Sequence, residues 1–190
     1  MAPREQVRRR MGWPRRSLLV FPLAGIAAAA CSKPRSPTAR ANEQGDGLAA
    51  EYWDNPDWSG EPRIKRVDPL LDFTWQRSPI DGGRPVLFSV RWRGFLRIPN
   101  DEPGYYVLTL LSDDGSWLDL DGTQIIDNGG IHYPQARSKR LALTIGWHQI
   151  EIRYFAGPDP PAMLRFSWET PSGRREVVPQ AVLYTRRPQF

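Results

Sequence analysis

Along most of the chain, apolar and polar residues alternate with a period of two. Phe88, Val90 and Trp92 fall on one side of an extended run, and Ser89, Arg91 and Arg93 on the other. Successive side chains of a strand point to opposite faces, so this run predicts a half-buried strand. The same phase recurs in Ile150, Ile152 and Tyr154 against Glu151 and Arg153, and again in Leu164, Phe166 and Trp168. Leu48, Ala50 and Tyr52 open the series. Shorter candidates lie at 63–68, 70–75, 138–143, 177–178 and 181–185. Tyr105–Leu111 is apolar at nearly every position, which predicts a central strand covered on both faces. Gly94 interrupts its strand where a bulge would fit. Segments rich in Pro, Gly and Asp at 54–62, 76–85 and 156–162 read as loops. No stretch has the 3.6 period of a helix. Roughly ten short strands at even spacing predict an all-β chain, an antiparallel β-sandwich formed as a single domain over residues 47–185.

One stretch organises the rest. An apolar strand ends in Ser112-Asp113-Asp114-Gly115, a short strand follows, and Asp121-Gly122 turns the chain back towards Ile125 and Ile126. Asp-Gly between alternating runs signals a two-residue hairpin, because a type I′ turn needs positive φ at both central residues. Asp113 and Asp114 are different, since adjacent carboxylates repel unless a cation sits between them. Two readings stay open: a solvated turn, for which Asp and Gly are ordinary residues, or an ion site. Trp117, just beyond the pair, either packs inwards or stands exposed to stack on a ring. Asp119 and Asp121 are spaced to share a face and read as solvent-facing hairpin charge, with a glycosidase-like carboxylate pair as the alternative. His132 reads as a solvated loop histidine.

The net charge of +5 belongs to the N-terminus. Residues 1–31 hold six arginines against Glu5, and the remaining 20 basic and 20 acidic residues cancel. The main part of the chain therefore has no overall charge reason to seek nucleic acid. After Arg-rich residues 1–16, the uncharged run SLLVFPLAGIAAAA leads to Cys31. This is the n-region, h-region and small-residue boundary of a signal peptide over 1–30. Ala28-Ala29-Ala30-Cys31 resembles a bacterial lipobox, which would make Cys31 a lipidated membrane anchor, with plain cleavage as the alternative. Arg15-Arg16 leaves export by a twin-arginine or a general secretory route open. Residues 31–46 read as a flexible tether and 186–190 as a tail, so an exported protein of the envelope is expected. A lone cysteine allows no intrachain disulfide. No G-x-S-x-G, phosphate-cradling glycine loop or H-E-x-x-H is present, so a non-catalytic module is expected.

Taken together, Gly47-Leu48-x-x-Glu51-Tyr52, Phe88-Ser89-Val90-Arg91-Trp92-x-Gly94, Ser112-Asp113-Asp114-Gly115, Gly146-Trp147-His148 and Leu164-x-Phe166-x-Trp168 resemble the protective-antigen-type β-sandwich family. The resemblance spans about Gly47 to Tyr184. In the carbohydrate-binding members an Asp-Asp pair joined by a cis peptide holds calcium, and sugar hydroxyls complete the ion's shell. The resemblance thus implies a lectin-like module with calcium at Asp113 and Asp114 and a glycan or envelope polysaccharide as partner. An envelope-assembly protein partner is the alternative. Those lectins take an asparagine from a second loop. Ala156 stands at or near its place here, which leaves Asp159 as the loop's side-chain oxygen, with Trp117 as a candidate sugar contact.

Overall fold

The computed structural model describes residues 45–80 and 87–188. Twelve strands are present among them: β1 (Leu48–Trp53), β2 (Ile64–Asp68), β3 (Asp72–Trp75), β4 (Phe88–Ile98), β5 (Gly104–Asp113), β6 (Ser116–Leu120), β7 (Thr123–Asn128), β8 (Gln135–Leu143), β9 (Gly146–Ala156), β10 (Ala162–Glu169), β11 (Arg175–Val177) and β12 (Leu183–Tyr184). They form two antiparallel sheets. The larger runs β2-β1-β4-β9-β6-β7, with β12 also on β4; the smaller runs β11-β10-β5-β8, with β3 also on β10. The expected sandwich is therefore present. The signal segment, Cys31 and nearly all of the tether lie outside the described residues.

The alternation dictates the core. Trp92, Ile152, Tyr154 and Leu118 from the large sheet meet Leu108, Leu110, Leu164 and Phe166 from the small one, all of them fully buried. Aromatic stacking joins the layers, with Phe73 on Trp92 at 5.9 Å and Trp75 on Tyr154 at 5.5 Å between ring centroids. A buried acid stands among these rings. Asp68 accepts from Tyr52 Oη at 2.5 Å, Trp92 Nε1 at 2.7 Å and Arg66 Nε at 2.7 Å, so its charge is fully compensated. Burial and that charge push the Tyr52 hydroxyl well above its ordinary pKa.

Three expectations change. β5 is buried on one face only: Tyr106, Leu108 and Leu110 are inside, while Tyr105 is exposed. Its apolar outer residues Val107 and Leu111 are half covered by their β8 and β10 neighbours. Gly94 marks no bulge. β4 runs through it in unbroken register with β9, and a Cβ there would sit 2.2 Å from the carbonyl oxygen of Tyr184. The glycine is needed because β12 crosses close by. The segment 181–185 begins as a short 3₁₀ turn at Gln180–Val182 before β12. Thr185, directly after β12, is tied down through Asp46, which accepts from Thr185 N at 2.8 Å and Thr185 Oγ1 at 2.6 Å.

Candidate functional site

Three segments meet at one end of the sandwich. β5 delivers Asp113 beside Met163 of β10, and Ser112 pairs with Gln135 at the start of β8. The β5–β6 connection, the 129–134 loop and the 157–161 loop therefore share this end. The Asp113–Asp114 peptide is cis, as the family resemblance implies. Gly115 follows because nothing larger fits: a Cβ would lie 2.3 Å from the Phe155 ring. Gly115 O accepts from Phe155 N at 2.9 Å, and Tyr154 Oη donates to Asp113 O at 2.6 Å, so β9 grips the tip from beneath.

The two carboxylates have different fates. Asp114 is buried, at 4 % exposure. Its Oδ1 accepts from His132 N at 3.0 Å and its Oδ2 from Gly157 N, so one side chain fastens both neighbouring loops. Gly157 must be glycine, since a Cβ would come 2.4 Å from that oxygen. Asp113 is half-buried, and its carboxylate accepts no hydrogen bond from the described residues. Burial pushes its pKa up, and the charges of Asp114 and Asp159 add to this while His132 opposes it. Beneath the tip, Ser112 Oγ lies 2.7 Å from Ser116 Oγ and accepts from Asn128 Nδ2 at 2.9 Å, a buried polar network that fixes the strand ends.

The other sequence candidates separate. Asp159 is exposed in the 157–161 loop and reaches Asp113 through its field. Ala156 is fully buried and pairs with Phe88, so its methyl belongs to the core and cannot replace an asparagine ligand. The second loop meets the Asp pair through the Gly157 N–H instead. Trp117 is neither core nor free. It lies half-buried on the outer face of the large sheet, stacked on Phe155 at 6.0 Å and edge-on to Trp58 at 5.9 Å. His132 is not simply solvated: besides its N–H bond to Asp114, its ring nitrogens meet Tyr133 O at 2.9 Å and Asn128 O at 3.0 Å. Asp119 is held by Arg153 Nη2 at 3.0 Å, and Asp121 by His148 Nδ1 at 2.6 Å and Gln149 N at 2.8 Å.

The donor set suits a hard cation. It consists of oxygens, with a free carboxylate on Asp113 and unused lone pairs on Asp114. Among the described residues, no three His, Cys, Asp or Glu side chains come together closely enough to hold an ion. A calcium ion here would take protein oxygens for only part of the ~6–8 ligands it prefers. The exposed rim adds Ile131 at 75 % and Tyr133 at 90 % exposure, on either side of His132. Sequence reasoning missed Gly157 and the role of the His132 amide, because backbone donors carry no side-chain signature.

The model of the PA14 domain matches residues 44–181. The anti-sigma-I factor RsgI3 of Acetivibrio thermocellus is 31 % identical over 148 residues, which make up 75 % of this chain and 22 % of that protein. A solved anti-sigma factor domain-containing protein from Clostridium clariflavum is 32 % identical with a TM-score of 0.68, over 75 % of this chain and 49 % of that one. The chain thus spans about a fifth and about half of these relatives. The PA14 sugar-binding domain from an RTX adhesin shares the fold at 18 % identity and a TM-score of 0.58, over 75 % of this chain and 98 % of that one.

Proposed function

The chain belongs to the PA14 domain family, and from that premise we propose that it is a non-catalytic binding module that recognises carbohydrate through a calcium ion held by Asp113 and Asp114. The observation that carries this reading is the unspent carboxylate of Asp113 beside a buried, doubly anchored Asp114. Asp114 sets the loops and Asp113 offers charge. Bound calcium supplies a positive centre with open coordination positions for vicinal hydroxyls. Ile131 and Tyr133 offer apolar surface against a sugar ring, and the exposed Asp159 lies near enough to act on Asp113 through its charge. The sugar-binding name of the RTX adhesin domain supports the ligand class. Export through residues 1–30 and lipidation at Cys31 would set the module on the outer side of a membrane, within reach of envelope polysaccharide.

A glycan array probed with and without calcium tests the proposal. Signals that disappear with a chelator are expected; an array that stays blank in calcium refutes the carbohydrate reading. The anti-sigma names of the two relatives above 30 % identity favour a second reading, a protein-interaction module of an envelope assembly. Co-purification of a stable protein partner from membranes, indifferent to chelators, would select it.

A further inference from the structure

Many charges on the domain are neutralised in place. Arg91 and Arg93 share Glu51, Arg153 holds Asp119, Arg165 holds Asp72 and Arg175 holds Glu169. Other cations without an ion pair among the described residues, such as Arg63, Arg97 and Arg187, are scattered, but β8 carries three and no acid. Arg137, Lys139 and Arg140 are all exposed, and none forms an ion pair with a described residue. The neutral amide of Gln135, turned to present its oxygen, meets Arg137 Nη2 at 2.8 Å. Arg140 lies over the exposed Tyr105 ring at 3.9 Å. Lysines and arginines on an edge strand do discourage sheet-to-sheet aggregation. An edge of the other sheet shows what that alone looks like. On β2, Lys65 and Arg66 are each paired, to Glu51 at 4.0 Å and Asp68 at 2.7 Å. Edge protection does not explain why β8 leaves all its cations uncompensated.

The position of β8 supplies a reason. Its first residue, Gln135, is in register with Ser112, next to Asp113, and the exposed Ile131 and Tyr133 lead directly into it. At ~3.4 Å per residue, Arg137 to Arg140 lie roughly 7–17 Å along the strand from Gln135. We propose that β8 is a track for an anionic polysaccharide running out from the Asp113/Asp114 site. Tyr133 meets a ring near the site, and Arg137, Lys139 and Arg140 meet acid groups further along the polymer. This deepens the carbohydrate reading and rests on it. Three uncompensated cations on one edge strand, Arg137 and Lys139 on one face and Arg140 on the other, complement a polyanion lying along that edge, while the exposed tyrosines at either end suit sugar rings better than an acidic peptide.

Dextran and carboxymethyl-dextran share one backbone and differ in charge, so they form the test pair. Binding is measured by affinity electrophoresis in calcium at low and high salt. Wild type should be retarded by carboxymethyl-dextran and much less by dextran. An R137Q/K139Q/R140Q variant should bind about tenfold more weakly, with less salt dependence. Dextran sulfate beside carboxymethyl-dextran identifies the preferred acid group, and preference for either over dextran supports the track. Equal binding of charged and neutral dextran, or an unchanged triple variant, overturns it. So does polyglutamate binding as tightly as the acidic glycan, which would make the strip a docking face for acidic protein. Calcium titration of the triple variant separates the two readings. Retained calcium binding with lost charge preference is expected; calcium-dependent binding of neutral glycans with no charge preference would leave the carbohydrate reading standing and end this one.

Discussion

β6 has an aspartate turn at each end, and the two are built differently. At its end, Asp121 adopts φ 51° beside Gly122 at 79°, the hairpin geometry that its sequence announces. Its carboxylate is spent on His148 and the Gln149 amide. At its start, Asp114 is likewise anchored, with one hydrogen bond on each oxygen from the amides of His132 and Gly157. The difference is Asp113, a second acid whose side chain has no hydrogen-bonding partner among the described residues. A turn needs one satisfied carboxylate, and a ligand site needs one to spare.

Substitutions can break or sharpen this contrast. The largest effect is expected from Asp114→Ala, which orphans two backbone donors at a buried position. At about 1–3 kcal/mol for each unsatisfied group, the loss should total about 3 kcal/mol or more in urea unfolding. Gly157→Ala comes next. The added methyl overlaps Asp114 Oδ2, and relieving it should cost about 2 kcal/mol and loosen the 157–161 loop, visible as faster amide exchange. Asp121→Asn keeps a residue tolerant of positive φ and removes the charge facing His148. A cost of about 1 kcal/mol with unaltered calcium binding is expected, read from the same unfolding curves and a titration.

The smallest effect on stability, and of opposite sign, is expected from Asp113→Asn. The raised pKa of Asp113 means that the folded state takes up its proton more readily than the unfolded chain. Its ionised form therefore costs stability once the pH has risen through the folded-state pKa, and the cost disappears below the ordinary value of 3.8. In calcium-free buffer at neutral pH the variant should be slightly more stable than wild type, and the difference should close as the solution is acidified. Thermal unfolding across that range checks it.

Much of this was legible in the sequence. The period-two alternation located the main strands and the faces of β4, β9 and β10, because burial on one side of a sheet leaves that imprint. The hairpin at Asp121-Gly122 was explicit for the same kind of reason, a φ requirement that glycine meets. β5 misled, since Val107 and Leu111 are apolar on a face only half covered by neighbouring strands. Gly94 misled because the approach of β12 is a long-range fact with no local signal. At the site, Asp113 and Asp114 were visible as a pair, but their division of labour was not. That division depends on the amides of His132 and Gly157, which any residue's backbone might present. Trp117 was equally ambiguous: it is out of phase with the buried Leu118 and Leu120, and its partial cover on the outer face comes from Trp58 and Phe155, which are distant in sequence.

The free carboxylate of Asp113 is the central claim, and calcium-dependent thermal unfolding tests it most directly. A ligand bound only by the folded state raises Tm with its concentration. Wild type and Asp121→Asn should both show a rising Tm on calcium addition, and Asp113→Asn should show none. A wild-type Tm indifferent to calcium, or an equal rise in Asp113→Asn, would contradict the account.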